Sequence, residues 1–192
     1  ISQINEPQKS QPLTINSPMT VGMMAGQWCP HGLDPDQPGD QQLEEAGSLI
    51  FDTQALEREL SILGAPRIRL EISSDKPNAM LAACLSEVFP DGRATRVSYG
   101  LLNLTHMNSH ENPELLTEGK KYTIVLKLNE AGHCFGVGNR IRLALSTVYW
   151  PIAWPSPERS TLTLGENGMS LMLPIRPDRS SDQVLKPFEE PE

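Results

Sequence analysis

Seventeen prolines are spread along the whole of this 192-residue chain, and they constrain its fold more than any other feature. Each lacks a backbone donor and clashes with the preceding helical turn, so a helix rarely runs through one. No window holds a 3.6-residue apolar period for long. Several hold a period of two, the spacing that places apolar side chains on one face of a strand. The combination predicts an all-β chain with irregular connections.

RIRLEIS (67–73) sets Ile68, Leu70 and Ile72 inward and Arg67, Arg69 and Glu71 outward. KYTIVLKLNE (121–130) alternates in the same way through Tyr122, Ile124, Leu126 and Leu128. In HCFGVGNRIRLALSTVYWPIAWPSP (133–157), a glycine-rich approach leads into RIRLALS, with Ile141, Leu143 and Leu145 on one face. The aromatic YWPIAWPSP (149–157) follows, where Pro151 and Pro155 stop a central strand and stiffen the loop. Residues 80–89 are apolar in both parities, which predicts a strand covered on both faces. PDGR (90–93) is the clearest hairpin turn. The return strand runs over ATRVSYGLLNLTH to His106, with a bulge or bend at Gly100, Leu101 and Leu102 and opposite parity beyond it. SLIFDT (48–53) reads as a short strand. ALERELSILG (55–64) suits either a short helix ended by Gly64 or an extended piece, and Pro66 favours the latter. STLTL (160–164) and MSLMLPI (169–175) read as a terminal strand pair around GENG. With no βαβ alternation, about eight strands of this kind pack as two antiparallel sheets.

Residues 1–45 form an irregular arm, 46–176 the sandwich and 177–192 a polar tail with Phe188 as a late anchor. LTI (13–15) and TVGMMAGQW (20–28) each suit a short strand. The apolar Met19, Val21, Met23, Met24 and Trp28 suggest a strap lying over the body, since a free linker has no use for them. The sequence opens on Ile1 without a signal-like segment, which suits a processed product or a piece of something longer.

Net charge is -8, and no basic cluster is dense enough to track a phosphate backbone, so nucleic acid is not an expected partner. No apolar run has the length of a membrane span. Cys29, Cys84 and Cys134 are odd in number, far apart and in no C-x-x-C pair. That argues against a disulfide scaffold or thiolate zinc site and favours a reducing, cytoplasmic setting.

A serine nucleophile elbow needs G-x-S-x-G, and the chain has none; Ser146 lies in an alternating strand instead. No catalytic residue is therefore assigned. His106, His110 and Glu111 lie close together, and His133 and Cys134 could join them in space, but the spacing is not H-E-x-x-H and the setting is a loop. A solvated loop is the favoured reading, and neither metal nor cofactor is expected. Gly132, Gly136 and Gly138 lack the Lys-Ser/Thr pair of a phosphate cradle, so Arg140 and Arg142 are expected to line a sheet face. Trp28, Tyr149, Trp150 and Trp154 are the candidate inter-domain or ligand surface. Their rings suit capping of the sandwich, packing against another domain, or stacking on sugar, which would make the chain a carbohydrate-binding module. A self-associating module, giving a homo-oligomer, is a third reading.

Several blocks together resemble the C-terminal, non-catalytic domain of the X-Pro dipeptidyl-peptidase and cocaine-esterase-like hydrolases. They are SLIFDT (48–53), ILGAPRIRLEISSD (62–75), LSEVFPDGRATRVSYGLLNLTH (85–106), residues 122–157 and MSLMLPI (169–175), in order and with matching spacing. The resemblance implies a jelly-roll sandwich of the galactose-binding-like type. It also implies an upstream α/β-hydrolase domain carrying serine, aspartate and histidine, whose residues have no counterpart in these 192. The present domain would brace that partner and help wall its pocket, and be inactive alone. Relatives often carry histidine after the glycine at 138 and arginine after His106, where this chain has Asn139 and Met107.

Overall fold

The computed structural model describes residues 12–26, 37–180 and 182. Ten strands among them pair as a nested set. Innermost is the hairpin of β5 (Met80–Val88) and β6 (Ala94–Asn103). Its PDGR turn is closed by Phe89 N–H donating to the Arg93 carbonyl at 2.9 Å. Around it close β4 (Arg67–Ser74) with β7 (Tyr122–Lys127), and β3 (Leu60–Gly64) with β8 (Ala131–Phe135). Outside those lie β2 (Leu49–Asp52) with β9 (Arg140–Ser146), and β1 (Thr14–Ile15) with β10 (Leu162–Met172). Every pair is antiparallel. Two further pairings, β10 with β4 and β5 with β9, knit alternate pairs into four-stranded sheets ordered β1-β10-β4-β7 and β2-β9-β5-β6. The β3–β8 ribbon stays separate. A long hairpin rolled up in this way is a jelly-roll β-sandwich.

Period-two patterning explains the core. Ile68, Leu70 and Ile72 of β4 and Ile124 and Leu126 of β7 meet Leu81 and Leu85 of β5 and Leu143 and Leu145 of β9 in one buried cluster. All nine residues of β5 are buried, as its doubly apolar pattern predicts. Its second face is covered from the N-terminal side: Val21 and Ala25 pack with Met80, Ala82 and Tyr149 in a separate cluster.

Five expectations are corrected. TVGMMAGQW does not form a strand where it is described; residues 19–24 turn, through Gly22 at φ +107° and hydrogen bonds such as Ala25 N–H to the Gly22 carbonyl at 2.9 Å. Trp28 and Phe188 lie outside the described residues. The strand before His106 stops at Asn103, whose side chain accepts from the Thr105 amide and hydroxyl and caps a 3₁₀ turn, Leu104–His106. Register passes unbroken through Gly100, Leu101 and Leu102; the extra residue is Val97, between Leu85↔Ser98 and Ser86↔Arg96. GENG is not a hairpin: 162–164 and 169–172 both pair with β4 as parts of one strand, and the register shift falls between them. The glycine-rich approach to β9 is half strand, because residues 131–135 find a partner in β3. The same pairing settles the helix-or-extended ambiguity of 55–64 in favour of extended structure.

Candidate inter-domain surface

β9 delivers the chain into the aromatic loop. At its last residue, the Ser146 hydroxyl donates to the Val148 carbonyl at 2.8 Å. Ser17 and Thr147 are locked reciprocally, each backbone N–H donating to the other's hydroxyl oxygen at 3.0 Å. Tyr149 turns inward and is 3% exposed. It stacks on Tyr99 with ring centroids 5.5 Å apart, and its hydroxyl accepts from Arg96 Nη1 at 2.9 Å. Burial raises the phenol above its ordinary pKa. Tyr149 is thus a cap of the sandwich, not a surface residue.

The tryptophans are more exposed than Tyr149. Trp150 N–H donates to the Val21 carbonyl at 3.1 Å, its ring is half-buried, and the Trp150–Pro151 peptide is cis. Trp154 is 82% exposed and meets Trp150 edge-on, with ring centroids 5.0 Å apart. Of the three described aromatic candidates, the structure therefore joins Trp150 and Trp154 ring to ring and buries Tyr149.

The loop is held by contacts invisible in the sequence. A Cβ on Gly22 would lie 2.3 Å from the Trp150 carbonyl oxygen, so the backbones touch only because position 22 is glycine. Buried Glu44 accepts hydrogen bonds from the amides of Gly22 (2.6 Å) and Met24. Gln41 Nε2 donates to the carbonyls of Met24 (2.8 Å) and Gly39 (2.9 Å). Glu44 and Gln41 sit in a 3₁₀ segment, Gln41–Gly47, that no motif announced. Beneath the strap lies a cavity of about 20 Å³ lined by Glu44, Cys84, Arg142 and Tyr149 among others, room for about one water. Burial raises the Cys84 thiol above its ordinary pKa, which suits packing rather than reactivity.

At the other end of β9, Glu87 collects three partners. Its Oε1 accepts from Gly136 N–H and Asn139 Nδ2, both at 2.7 Å, and its Oε2 lies 2.8 Å from His133 Nε2. Burial pushes the carboxyl pKa up, but the bonds from Asn139, Gly136 and His133 outweigh it and leave the group below its ordinary value. Asn139 thus has a definite structural role. Arg140 and Arg142 line a sheet face as expected. Arg142 makes a two-pronged contact with Asp52, 2.6 Å for each prong, and Arg140 Nη1 reaches the same carboxylate at 3.1 Å.

His106 and His110 meet ring to ring at 5.5 Å, whereas His133 is engaged by Glu87. No three His, Cys, Asp or Glu side chains among the described residues gather into a metal-holding group. No described helix is long and apolar enough to cross a membrane.

Residues 6–181 match the family model of the X-Pro dipeptidyl-peptidase C-terminal non-catalytic domain. A cocaine esterase from Rhodococcus sp. (strain MB1 Bresler) is 28% identical over 103 residues, covering 54% of this chain and 18% of that protein. Among solved structures, an α-amino acid ester hydrolase superposes with a TM-score of 0.73 at 19% identity, over 88% of this chain and 33% of its own. An aminopeptidase from a marine sediment Thaumarchaeota archaeon gives 0.74 at 16% identity, over 88% of this chain and 34% of its own. At such identities the superpositions show the shared fold. This chain spans about a third of each of those structures. The jelly roll and the match over most of the chain agree: the chain belongs to the family of X-Pro dipeptidyl-peptidase C-terminal non-catalytic domains.

Proposed function

We propose that this chain is the accessory domain of a serine hydrolase of the α/β-hydrolase type, acting on X-Pro peptides, esters or acyl amides. It braces the catalytic domain through the face carrying Trp150 and Trp154 and helps wall the substrate pocket. The arm (1–45) would lead in from that domain, 46–176 form the brace, and 177–192 trail from it. The free thiols Cys84 and Cys134 suit a cytoplasmic setting.

One observation carries the reading: Trp154 is 82% exposed on a loop whose neighbour Tyr149 is buried and whose backbone is bonded to the strap. An aromatic ring held out on an anchored loop is the anatomy of an interface anchor, because little freedom is lost when it docks. The family's definition as a non-catalytic domain supports the same role.

The purified chain should leave ester and X-Pro substrates intact. Turnover abolished by a serine-directed inhibitor would overturn the reading. In the complete polypeptide, Trp154→Ala should weaken docking by about 2–4 kcal/mol, read as a lower thermal midpoint and a fall in kcat/KM. Glycan binding by the isolated chain, lost in Trp150→Ala and Trp154→Ala, would assign the loop to sugar instead.

A further inference from the structure

We infer that the outer face of the β1-β10-β4-β7 sheet is a docking surface for the chain's own tail, with Glu190 and Glu192 on Arg69 and Arg67 and Phe188 on Val125.

The face follows from register. Ile68, Leu70 and Ile72 of β4 are buried, so Arg67, Arg69 and Glu71 point outward. Residues directly opposite one another in an antiparallel pair share a face. Val125 of β7 and Ser170 of β10 therefore flank Arg69, and Lys127 and Met172 flank Arg67. Lys127 is ion-paired to Glu130, and Glu71 to Lys121. Arg67 and Arg69 are both exposed, and neither has a hydrogen-bond or ion-pair partner among the described residues. Val125, opposite Arg69, is 56% exposed. It lies on β7, the last strand of its sheet, and folded proteins cover or charge such edges. An apolar side chain beside two uncompensated guanidiniums suits a segment that is both apolar and acidic.

The tail beyond Asp182, outside the described residues, supplies one. PFEEPE (187–192) places Phe188, Glu190 and Glu192 at alternate positions. Pro187 and Pro191 disfavour helix and bias the residues before them to extended backbone. In an extended chain, side chains two apart share a face at a spacing of about 7 Å. Arg67 and Arg69 have that same spacing on β4. Two carboxylates thus meet two guanidiniums while the phenyl ring meets Val125. The tail also starts close by. Asp182 is drawn back to Arg176 at 2.6 Å, and Arg176 follows closely on Met172, which is opposite Arg67. The extended chain from Asp182 to Glu190 spans about 26 Å, against about 14 Å from Arg176 back to Met172.

Phenylglyoxal labelling of arginine, read by peptide mass spectrometry, tests this in the full 192-residue chain. Arg67 and Arg69 should react roughly threefold more slowly than in the Glu190→Lys/Glu192→Lys variant, the scale expected of two exposed ion pairs. Arg58, exposed and outside this face, should react alike in both. The protection should vanish in about 1 M salt, where charges are screened within about 3 Å. In the Arg67→Lys and Arg69→Lys variants, carbodiimide should link position 67 or 69 to Glu190 or Glu192 within one chain. Equal labelling of the parent and Glu190→Lys/Glu192→Lys, or protection that persists at high salt, would overturn the inference. Links recovered only between two chains would assign the face to a second copy's tail and overturn the choice of occupant.

Discussion

Glu87 sits on β5 with both carboxylate oxygens occupied, tying the turn that leads into β9 to the sheet it enters. Its pKa lies below the ordinary 4.5, since the bonds from Asn139, Gly136 and His133 outweigh the opposing effect of burial. The ionised group therefore stabilises the fold fully above its unfolded-state value, and that stabilisation is lost as pH falls through the lower folded value. Denaturant titrations should show Glu87→Gln less stable than the parent near neutrality, with the gap narrowing below pH 4.5; a gap constant across that range would contradict the assignment. Gly22 makes a second residue-scale prediction. Alanine there combines a strained φ of +107° with a Cβ 2.3 Å from the Trp150 carbonyl oxygen. Gly22→Ala should cost about 2 kcal/mol or more and speed amide exchange over 20–25, leaving the core of β4 protected. Neither role was legible in the sequence. Gly22 lay in a stretch read as strand, and nothing local joins Glu44 to Met24 and Gly22, 20 and 22 positions earlier.

At the scale of elements, β5 shows what alternation can and cannot reveal. Its two apolar faces announced two coverings, and both exist: the sandwich core on the Leu81 and Leu85 side, the strap on the Met80 and Ala82 side. Leu85→Ala should cost about 2–5 kcal/mol as a core cavity. Ala82→Leu should cost about 1–3 kcal/mol by overpacking and should loosen the strap first. Exchange that rises first over β4 in Ala82→Leu would contradict the strap's placement. β4, β7 and β9 were legible because half-buried strands carry the period-two pattern in their own residues. β8 was not, and of β10 the two halves were legible as strands but not their union, because both facts depend on a distant partner. His133, Cys134 and Phe135 become a strand by pairing with β3, and the two halves of β10 are one element because both lie along β4. The extra residue at Val97 carries no glycine to mark it.

Across the whole molecule, nested pairing starts at the one turn that sequence chemistry marks plainly, PDGR, and each later pair closes a longer loop. The outermost pair, β1 with β10, is also the smallest contact and anchors the segment where upstream chain arrives. The aromatic loop was legible as a candidate surface from its composition. Its division into a buried Tyr149 and an exposed Trp154 was not, because that depends on Arg96, Tyr99 and the strap folding around it. The central claim is that the exposed side of this loop docks on a catalytic domain. Hydroxyl-radical footprinting of Trp154 in the isolated chain and in the complete polypeptide tests it most directly, with buried Tyr149 as the internal control. The account predicts that Trp154 is readily modified in the isolated chain and protected in the complete polypeptide, with Tyr149 protected in both; equal modification of Trp154 in the two forms would contradict it.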